Sequence, residues 1–457
     1  MTMSERVLVI GTGKSGVAAA GLLLSKGCEV VLFDENEQLK KDEIIGKATD
    51  TQADKVSVIL GLPDLTQEAL SKIDRAVISP GVPTDGEAAM RVKDAGIKLI
   101  GEIELAWESE KGKVLAITGT NGKTTTTTLL GEIMQKAKDH VLVVGNIGTP
   151  YTEEVLKSRE DSYTVAEISS FQLETTDKFH PIVSAILNLT PDHLNRHHTM
   201  ENYVSAKQDI TKAQTKEDCC VLNAEDPYTD DFVKRCPARV VLFSSAGELA
   251  EGYFFKDGVI YRSENGEAKR LIAMEETHLL GSHNAENIMA AVAMADAAGV
   301  DMETILQAVR DFHAVEHRIE FVKNVSGVDY YNDSKGTNPD AAIKAIKAMV
   351  RPTWLIGGGY DKDSTYDEWI ESFDGKVRGL VLLGQTAQKI ADCARAHGFE
   401  DIYMTETFEE AVNLCHDKAK DGEAVLLSPA CASWGMFKNY EERGRIFKDL
   451  VKGFTEQ

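Results

Sequence analysis

A chain of 457 residues, 43% hydrophobic and 27% charged, is too long for one core and has the composition of a globular protein of two to four domains, most simply three. Its formal charge of −23 argues against nucleic acid as a partner, but not against small anionic substrates, because screening over about 8 Å leaves local groups to decide what a cleft accepts. Apolar runs such as 17–24 and 289–294 are too short to span a bilayer, and seven cysteines without a CxxC pair predict reduced thiols in a cytoplasm rather than a disulfide frame or structural zinc.

The chain opens with an apolar run over 7–10, then Gly11-Thr12-Gly13-Lys14-Ser15-Gly16, a small-residue helix through Leu24, and a second run, 29–33, ending at Asp34. Strand, GxGxxG, helix, strand and an acid about 20 residues on is the dinucleotide fingerprint in its proper context. The glycines that break the first apolar run also argue against a signal peptide. A further strand, 76–78, ends at Ser79-Pro80-Gly81, and the polar run 108–113 reads as a linker. Taken alone, this block reads as NAD-binding.

The most informative stretch follows. Apolar residues 114–117 predict a buried parallel strand, and Gly119-Thr120-Asn121-Gly122-Lys123-Thr124-Thr125 leads from it into a Thr- and Leu-rich helix. Strand, Gly-rich turn, Lys-Thr and helix is the arrangement that cradles nucleotide phosphates: backbone N–H groups face the anion, Lys123 meets the β/γ oxygens and Thr124 reaches Mg²⁺. The loop is a shortened form, since Ile117 stands where GxxxxGK[ST] would have its first Gly.

Three more apolar runs in this block each end in polar residues: 141–144 before Gly145-Asn146-Ile147-Gly148, 164–166 before Glu167-Ile168-Ser169-Ser170, and 182–189 before Thr190-Pro191-Asp192-His193. In open α/β sheets ligands bind beyond the carboxyl ends of the strands, so Lys123, Asn146, Glu167 and His193 are expected at one sheet edge. Glu167 reads either as a solvated strand end or as a Mg²⁺ ligand, and its place beside a phosphate loop favours the ligand. His193 and His197 have i,i+4 spacing, but Pro191 and Asn195 interrupt a helix there and no HExxH or Cys partner exists; one His near the nucleotide metal, with the others on a polar loop, is expected instead of zinc. Lys207 reads on its own as a solvated helix residue.

After about Phe312 the pattern restarts. Runs 328–331, 353–356, 380–383 and 424–427 lead to Asn332-Asp333-Ser334-Lys335, the Gly-rich 357–362, Gly384 and Ser428-Pro429-Ala430-Cys431-Ala432-Ser433. The expected fold is therefore α/β in three domains: a Rossmann-like N-terminal domain (1–107), a central phosphate-loop ATP-binding domain with a mostly parallel sheet (108–312), and a C-terminal Rossmann-like α/β domain (313–457).

These motifs together resemble the Mur ligases, ATP-dependent amide-forming enzymes of peptidoglycan precursor synthesis. The 119–125 loop resembles that family's ATP loop, Gly281-Ser282-His283-Asn284-Ala285-Glu286-Asn287 its GxHNxxN, and His317-Arg318 its following Arg. Within the family, Glu167 to Leu173, Asn332 to Asn338, Leu427 to Ser433 and the N-terminal GxGxxG block are similar to the branch that accepts D-glutamate. The resemblance spans essentially the whole chain.

The resemblance implies ATP, D-glutamate and UDP-N-acetylmuramoyl-L-alanine as small-molecule partners of a monomeric cytoplasmic enzyme, with no nucleic acid and no membrane insertion. It implies that Gly119, Thr120, Asn121, Gly122, Lys123, Thr124 and Thr125 hold ATP, with Asn284, Arg318, Asp333 and Lys335 contacting or positioning it. Thr124 and Glu167 would hold one Mg²⁺. His193 would contribute to a second, together with Lys207, which matches the lysine that this family carbamylates. Lys123, Glu167, His193 and Lys207 are thus the implied catalytic set. Ser15, Asp34, Ser79 and Gly81 would hold the UDP portion, Asn146 and His193 would approach the muramoyl arm, and Thr337, Lys362, Ser433 and Tyr440 would form the D-glutamate pocket. Lys14, Tyr360, Asp363 and Tyr440 depart from the family's pattern. A reaction through an acyl phosphate further predicts a mobile C-terminal domain hinged near Phe312 to Arg318.

Overall fold

A computed structural model describes residues 4–146, 148–362 and 364–455; Ile147 and Asp363 of the loops above lie outside the described residues. Among the described residues three sheets form. The first is wholly parallel: β1 (Arg6–Ile10), β2 (Glu29–Asp34), β3 (Val56–Leu60), β4 (Arg75–Ile78) and β5 (Lys98–Gly101), in the order β3-β2-β1-β4-β5. Val7, Leu8 and Val9 of the central strand are fully buried, as expected for a parallel strand with helices on both faces. The helix Lys14–Ser25 follows β1 directly, because a Cβ on Gly16 would overlap the Gly11 carbonyl oxygen and only glycine lets the helix start so close to the strand.

The second sheet contains β6 (Lys113–Thr118), β7 (Val141–Gly145), β8 (Tyr163–Glu167), β9 (Val183–Ile186), β10 (Cys219–Asn223), β11 (Arg239–Ser244), β12 (Gly252–Lys256), β13 (Val259–Glu264) and β14 (Glu267–Ala273). Its order is β14-β13-β12-β11-β10-β9-β6-β8-β7. The pairings from β7 through β12 are parallel, and β12, β13 and β14 pair antiparallel at one side. Val114, Leu115, Ala116 and Ile117 are fully buried, which confirms the strand expected before the phosphate loop. Burial of each larger aliphatic chain there contributes about 1.5–3 kcal/mol. The expected linker is short and anchored: Glu110 accepts hydrogen bonds from Tyr151 Oη at 2.6 Å and Thr164 Oγ1 at 2.9 Å, and Lys113 already belongs to β6.

The third sheet comprises β15 (Glu320–Val325), β16 (Val328–Asn332), β17 (Thr353–Gly357), β18 (Val377–Leu382), β19 (Ile402–Met404) and β20 (Ala424–Leu427). They lie in the order β15-β16-β20-β17-β18-β19, parallel apart from the antiparallel β15–β16 pair. The chain forms two compact units, Met1–Ala273 with Glu286–Arg310, and Met274–Ala285 with Asp311–Gln457. The first holds the first two sheets and the second holds the third. No helix among the described residues is long and apolar enough to cross a membrane.

Candidate active site

β6 lies between β8 and β9, and the register pairs Ile117 with both Glu167 and Ala185, while Gly145 of β7 pairs with Glu167. The phosphate loop, Asn146 and Glu167 therefore leave neighbouring strands at one level. Gly122 takes a left-handed φ of 84° as it caps the helix Lys123–Ala137, and a Cβ there would overlap Asn287 Oδ1. This is a position that only glycine fills. Asn188, just beyond β9, clasps the loop: its carbonyl accepts from Thr120 N at 2.8 Å, its Oδ1 accepts from Asn121 N at 2.8 Å and its Nδ2 donates to Asn121 O at 3.1 Å.

Five charged or polar groups converge at this loop. Lys123 Nζ donates to the carbonyls of Gly119 at 2.8 Å and Thr120 at 2.9 Å. Thr124 Oγ1 donates to Glu167 Oε2 at 2.9 Å, and Asn146 Nδ2 donates to Glu167 Oε1 at 2.7 Å. Lys207 Nζ donates to Gly119 O at 2.8 Å and lies 4.8 Å from the Tyr203 ring centroid. The reading of Lys207 as a solvated residue is corrected here, for its side chain is only 2% exposed, and burial, with Lys123 beside it, holds its ammonium well below the ordinary lysine range.

The histidines are not gathered on one polar loop. His193 caps the short helix Leu194–His197 with φ 52°, and its ring lies 4.8 Å from that of Phe171. His197 is not on a polar loop: it is buried, with Nε2 2.9 Å from Ser170 Oγ and Nδ1 3.3 Å from Glu174 Oε1. Its two nitrogens face a hydroxyl and a carboxylate, and burial lowers its pKa. His198 lies 3.0 Å from Asp85 at the surface.

The turn after β8 is fixed from below. Ser169 and Gln172 form a capping box, and Gln172 Nε2 donates to Glu102 Oε1 at 2.7 Å. Glu102 is buried, its pKa is pushed up to about 7 chiefly by that burial, and its Oε2 accepts no hydrogen bond among the described residues.

In the first sheet, Asp34 Oδ2 accepts from Thr12 Oγ1 at 2.6 Å and Thr12 N at 3.1 Å, which fixes the Gly-rich turn. Ser79 Oγ donates to Gly11 O at 3.3 Å, Ser15 is half-buried in the first helical turn, and Gly81 is exposed. Lys14 Nζ donates to Gly148 O at 2.6 Å, so the unusual lysine of this loop reaches the turn after β7.

At the third sheet, β16, β20 and β17 are adjacent and bring their following loops together. Asp333 is buried and accepts from Ser428 Oγ at 2.7 Å; burial raises its pKa to about 7 against the opposing Ser428 hydrogen bond and Arg318 charge. Lys335 Nζ donates to Tyr440 Oη at 3.0 Å, which joins a residue expected at ATP to one expected at D-glutamate. Thr337 N donates to Lys335 O at 2.8 Å. Ser433 is buried, whereas Lys362 is exposed with its Nζ 4.7 Å from the Trp434 ring centroid. His317 and Ile319, on either side of Arg318, both adopt left-handed φ, of 67° and 47°. A β-branched residue in that region is strained, and such strain is concentrated at working sites.

Asn188 and Arg443 escaped the sequence reading, and Asn287 entered it only as part of the GxHNxxN pattern, with no role of its own. Asn287, the last residue of the GxHNxxN pattern, accepts from Thr126 Oγ1 at 3.4 Å beside Gly122, while Asn284 donates to Leu280 O at 2.7 Å. Arg443 is buried and donates to Ser334 O at 2.7 Å and Cys431 O at 3.3 Å, tying the loops after β16 and β20. Asn188 has no motif signature, but Asn287 was visible in the pattern.

Parallel sheets, a phosphate loop and a carboxylate beside its Lys-Thr pair are the features of a nucleotide-using α/β protein. The chain matches the Mur ligase MurD-like N-terminal domain over residues 5–101, the Mur ligase middle domain over 117–295 and the Mur ligase glutamate ligase domain over 317–431. It belongs to the Mur ligase family of ATP-dependent amide-forming ligases.

Among its relatives, the UDP-N-acetylmuramoylalanine--D-glutamate ligase of Lachnospira eligens is 54% identical over 448 residues, 98% of each chain. The Clostridioides difficile protein of the same name is 44% identical over 448 residues, again 98% of each. The fold is shared with UDP-N-acetylmuramate-alanine ligase MurC of Thermotoga maritima, with a TM-score of 0.60 at 18% identity, over 98% of this chain and 99% of that one. It is likewise shared with MurF ligase of Thermotoga maritima in complex with ADP, with a TM-score of 0.58 at 17% identity, over 98% and 95% of the two chains.

Proposed function

We propose that this chain joins D-glutamate to UDP-N-acetylmuramoyl-L-alanine at the expense of ATP, in the cytoplasmic supply of peptidoglycan precursors, and works as a monomer. The observation that carries the ligase chemistry is the convergence of Lys123, Thr124, Asn146 and Glu167 on one loop. The choice of substrates follows the relatives of that name, similar along almost the whole chain.

A carboxylate is a poor acyl donor. The L-alanyl carboxylate oxygen therefore attacks the γ-phosphorus of ATP, the bond to the β–γ bridging oxygen breaks, and acyl phosphate and ADP result. The amine of D-glutamate then attacks the acyl carbon; the amide forms as inorganic phosphate leaves and a proton is released. Lys123 neutralises charge on the transferring phosphoryl group, and the Gly119 to Thr125 loop, its Thr120 and Asn121 N–H groups held by Asn188, orients the phosphates at the start of the helix that Gly122 caps. The oxygens of Thr124 and Glu167, 2.9 Å apart, suit Mg²⁺ as hard donors at the loop's edge. When bound, Mg²⁺ neutralises phosphate charge. A second Mg²⁺ is assigned to His193 and Lys207, the latter as its carbamate. Carbamylation would turn a buried cation beside Lys123 into an anionic oxygen ligand, and so relieve a like-charge contact.

The segments 1–107, 108–312 and 313–457 are assigned to the UDP substrate, ATP and the amino acid. Ser15, Asp34, Ser79 and Gly81 would hold the UDP portion, with Asn146 and His193 toward the muramoyl arm. Asn284, Arg318, Asp333 and Lys335 would serve ATP, and Thr337, Lys362, Ser433 and Tyr440 the D-glutamate. Mass spectrometry of the product tests the reading: a mass increase of one glutamyl residue, seen only with D-glutamate present, supports it. Equal products with other amino acids would refute the acceptor while leaving the ligase reading intact.

A further inference from the structure

Away from the sites above, the third-sheet unit carries a second group of chemically distinct donors. The helix Asp367–Glu371 and the helix Ala387–Ala396, which His397 caps, are fixed by the buried side chains of Trp369, Ile370, Ile390, Ala391 and Ala394. On their rim, Asp367 and Glu371 stand at i,i+4 spacing on one helix, and Cys393 and His397 at i,i+4 spacing on the other. One ligand atom from each of Asp367, Cys393 and His397 lies within 4.8 Å of the others.

We propose that Asp367, Cys393 and His397 bind a zinc ion, with Glu371 orienting the histidine. His397 Nε2 already lies 3.1 Å from Asp367 Oδ1. Zinc bonds of about 2.0–2.3 Å place tetrahedral ligands about 3.3–3.7 Å apart, so this edge is near its final length and only modest rotamer movement completes the set. His397 Nδ1 faces Glu371 Oε1 at 3.7 Å. A metal-binding histidine commonly donates its second N–H to a carboxylate, which fixes the ring and the tautomer, and a small closure of this gap would bring Glu371 to that distance.

Thiolate, imidazole and carboxylate are the donor types zinc takes, and three protein ligands leave the fourth position to water. On binding, the Cys393 S–H bond breaks, its proton passes to solvent and the sulfur bonds to zinc. Thiolate and carboxylate together carry two negative charges, which match the dication. The ion would pin together two helices, the first of which follows the Gly-rich loop bearing Lys362. A search for CxxC pairs overlooks this arrangement, because each helix supplies its donors one turn apart.

Cobalt(II) titration of the full-length, metal-stripped chain in excess Mg²⁺ tests the site, since thiolate-bound cobalt gives a near-ultraviolet charge-transfer band. One equivalent should produce the band, zinc should abolish it, and Cys393→Ser should lack it. Glu371→Gln should weaken cobalt binding by about tenfold or more. The exposed substitution Asp367→Asn provides the same test should Cys393→Ser fail to fold, and it should weaken binding at least as much. Absence of the band in the wild-type chain, or an unchanged band in Cys393→Ser, would overturn the proposal.

Discussion

Lys123 and Lys207 both donate to the carbonyl oxygen of Gly119, each at 2.8 Å, although they come from different helices. Two ammonium groups on one oxygen repel, and burial with Lys123 holds Lys207 toward the neutral amine against the opposing pull of Asp192 and Glu167. The neutral amine is the form that takes up carbon dioxide, and its carbamate would remove the like-charge contact. Activity should therefore fall in carefully degassed, bicarbonate-free buffer and return when bicarbonate is added. Lys207→Met should have little activity and no response to bicarbonate. A wild-type rate indifferent to bicarbonate, with no carbamate mass on Lys207, would remove the modification from the account.

Lys123→Ala removes the one side-chain cation that the phosphate-loop pattern supplies to the γ-phosphate. A fall of at least about 100-fold in kcat is expected, because deletion of a transition-state charge partner commonly costs that much or more. Binding of the UDP substrate, followed by calorimetry, should be nearly unchanged. Near wild-type turnover would contradict the assigned mechanism.

Glu167→Gln conserves shape but removes the charge facing Thr124. The Mg²⁺ concentration for half-maximal ADP release should rise by about tenfold or more, as expected when a hard carboxylate ligand is lost. A Mg²⁺ dependence identical to wild type would show that Glu167 serves the turn rather than the metal.

Gly16→Ala places a methyl group against the Gly11 carbonyl oxygen. Either the helix or the strand must shift, so a loss of about 1–3 kcal/mol in stability is expected. Denaturant unfolding measures it. Gly81→Ala, where a Cβ meets open space, provides the contrast and should change stability by less than about 0.5 kcal/mol.

Glu102 gives a pH dependence with a definite sign. Its folded pKa of about 7 lies above the ordinary 4.5, so the native state favours the proton more than the unfolded state does. This contribution to stability is fully present below about pH 4.5 and is lost as pH rises through about 7, by roughly 3 kcal/mol in all. Asp333, also raised to about 7, acts in the same direction. Glu102→Gln should thus raise the melting temperature at pH 8 and flatten the decline between pH 5 and pH 8. A parallel decline in the variant would mean that Glu102 ionises in the fold without cost.

What was legible in the sequence was local. The 7–34 and 114–125 segments announce themselves because strand, Gly-rich turn and helix are consecutive, and Gly16 answers a steric demand from Gly11 only five residues away. Glu167 was legible because it ends an apolar run. The burial of Lys207 was not, since its helix Met200–Gln208 has polar neighbours and only tertiary packing encloses Tyr203 and Lys207 on one face. His197 was misplaced for the same reason. The side of the second sheet from β10 to β14 has ordinary strands and hairpins without a motif, so it was passed over. Asn188 and Arg443 act through backbone groups far away in sequence, a relationship that no residue spacing records.

ADP release from the wild-type chain, with each substrate omitted in turn, decides whether the chain joins these substrates. Rapid ADP formation is expected only when ATP, UDP-N-acetylmuramoyl-L-alanine and D-glutamate are all present, with one amide formed per ADP. Sustained ADP formation at the same rate without D-glutamate, or none with all three, would contradict it.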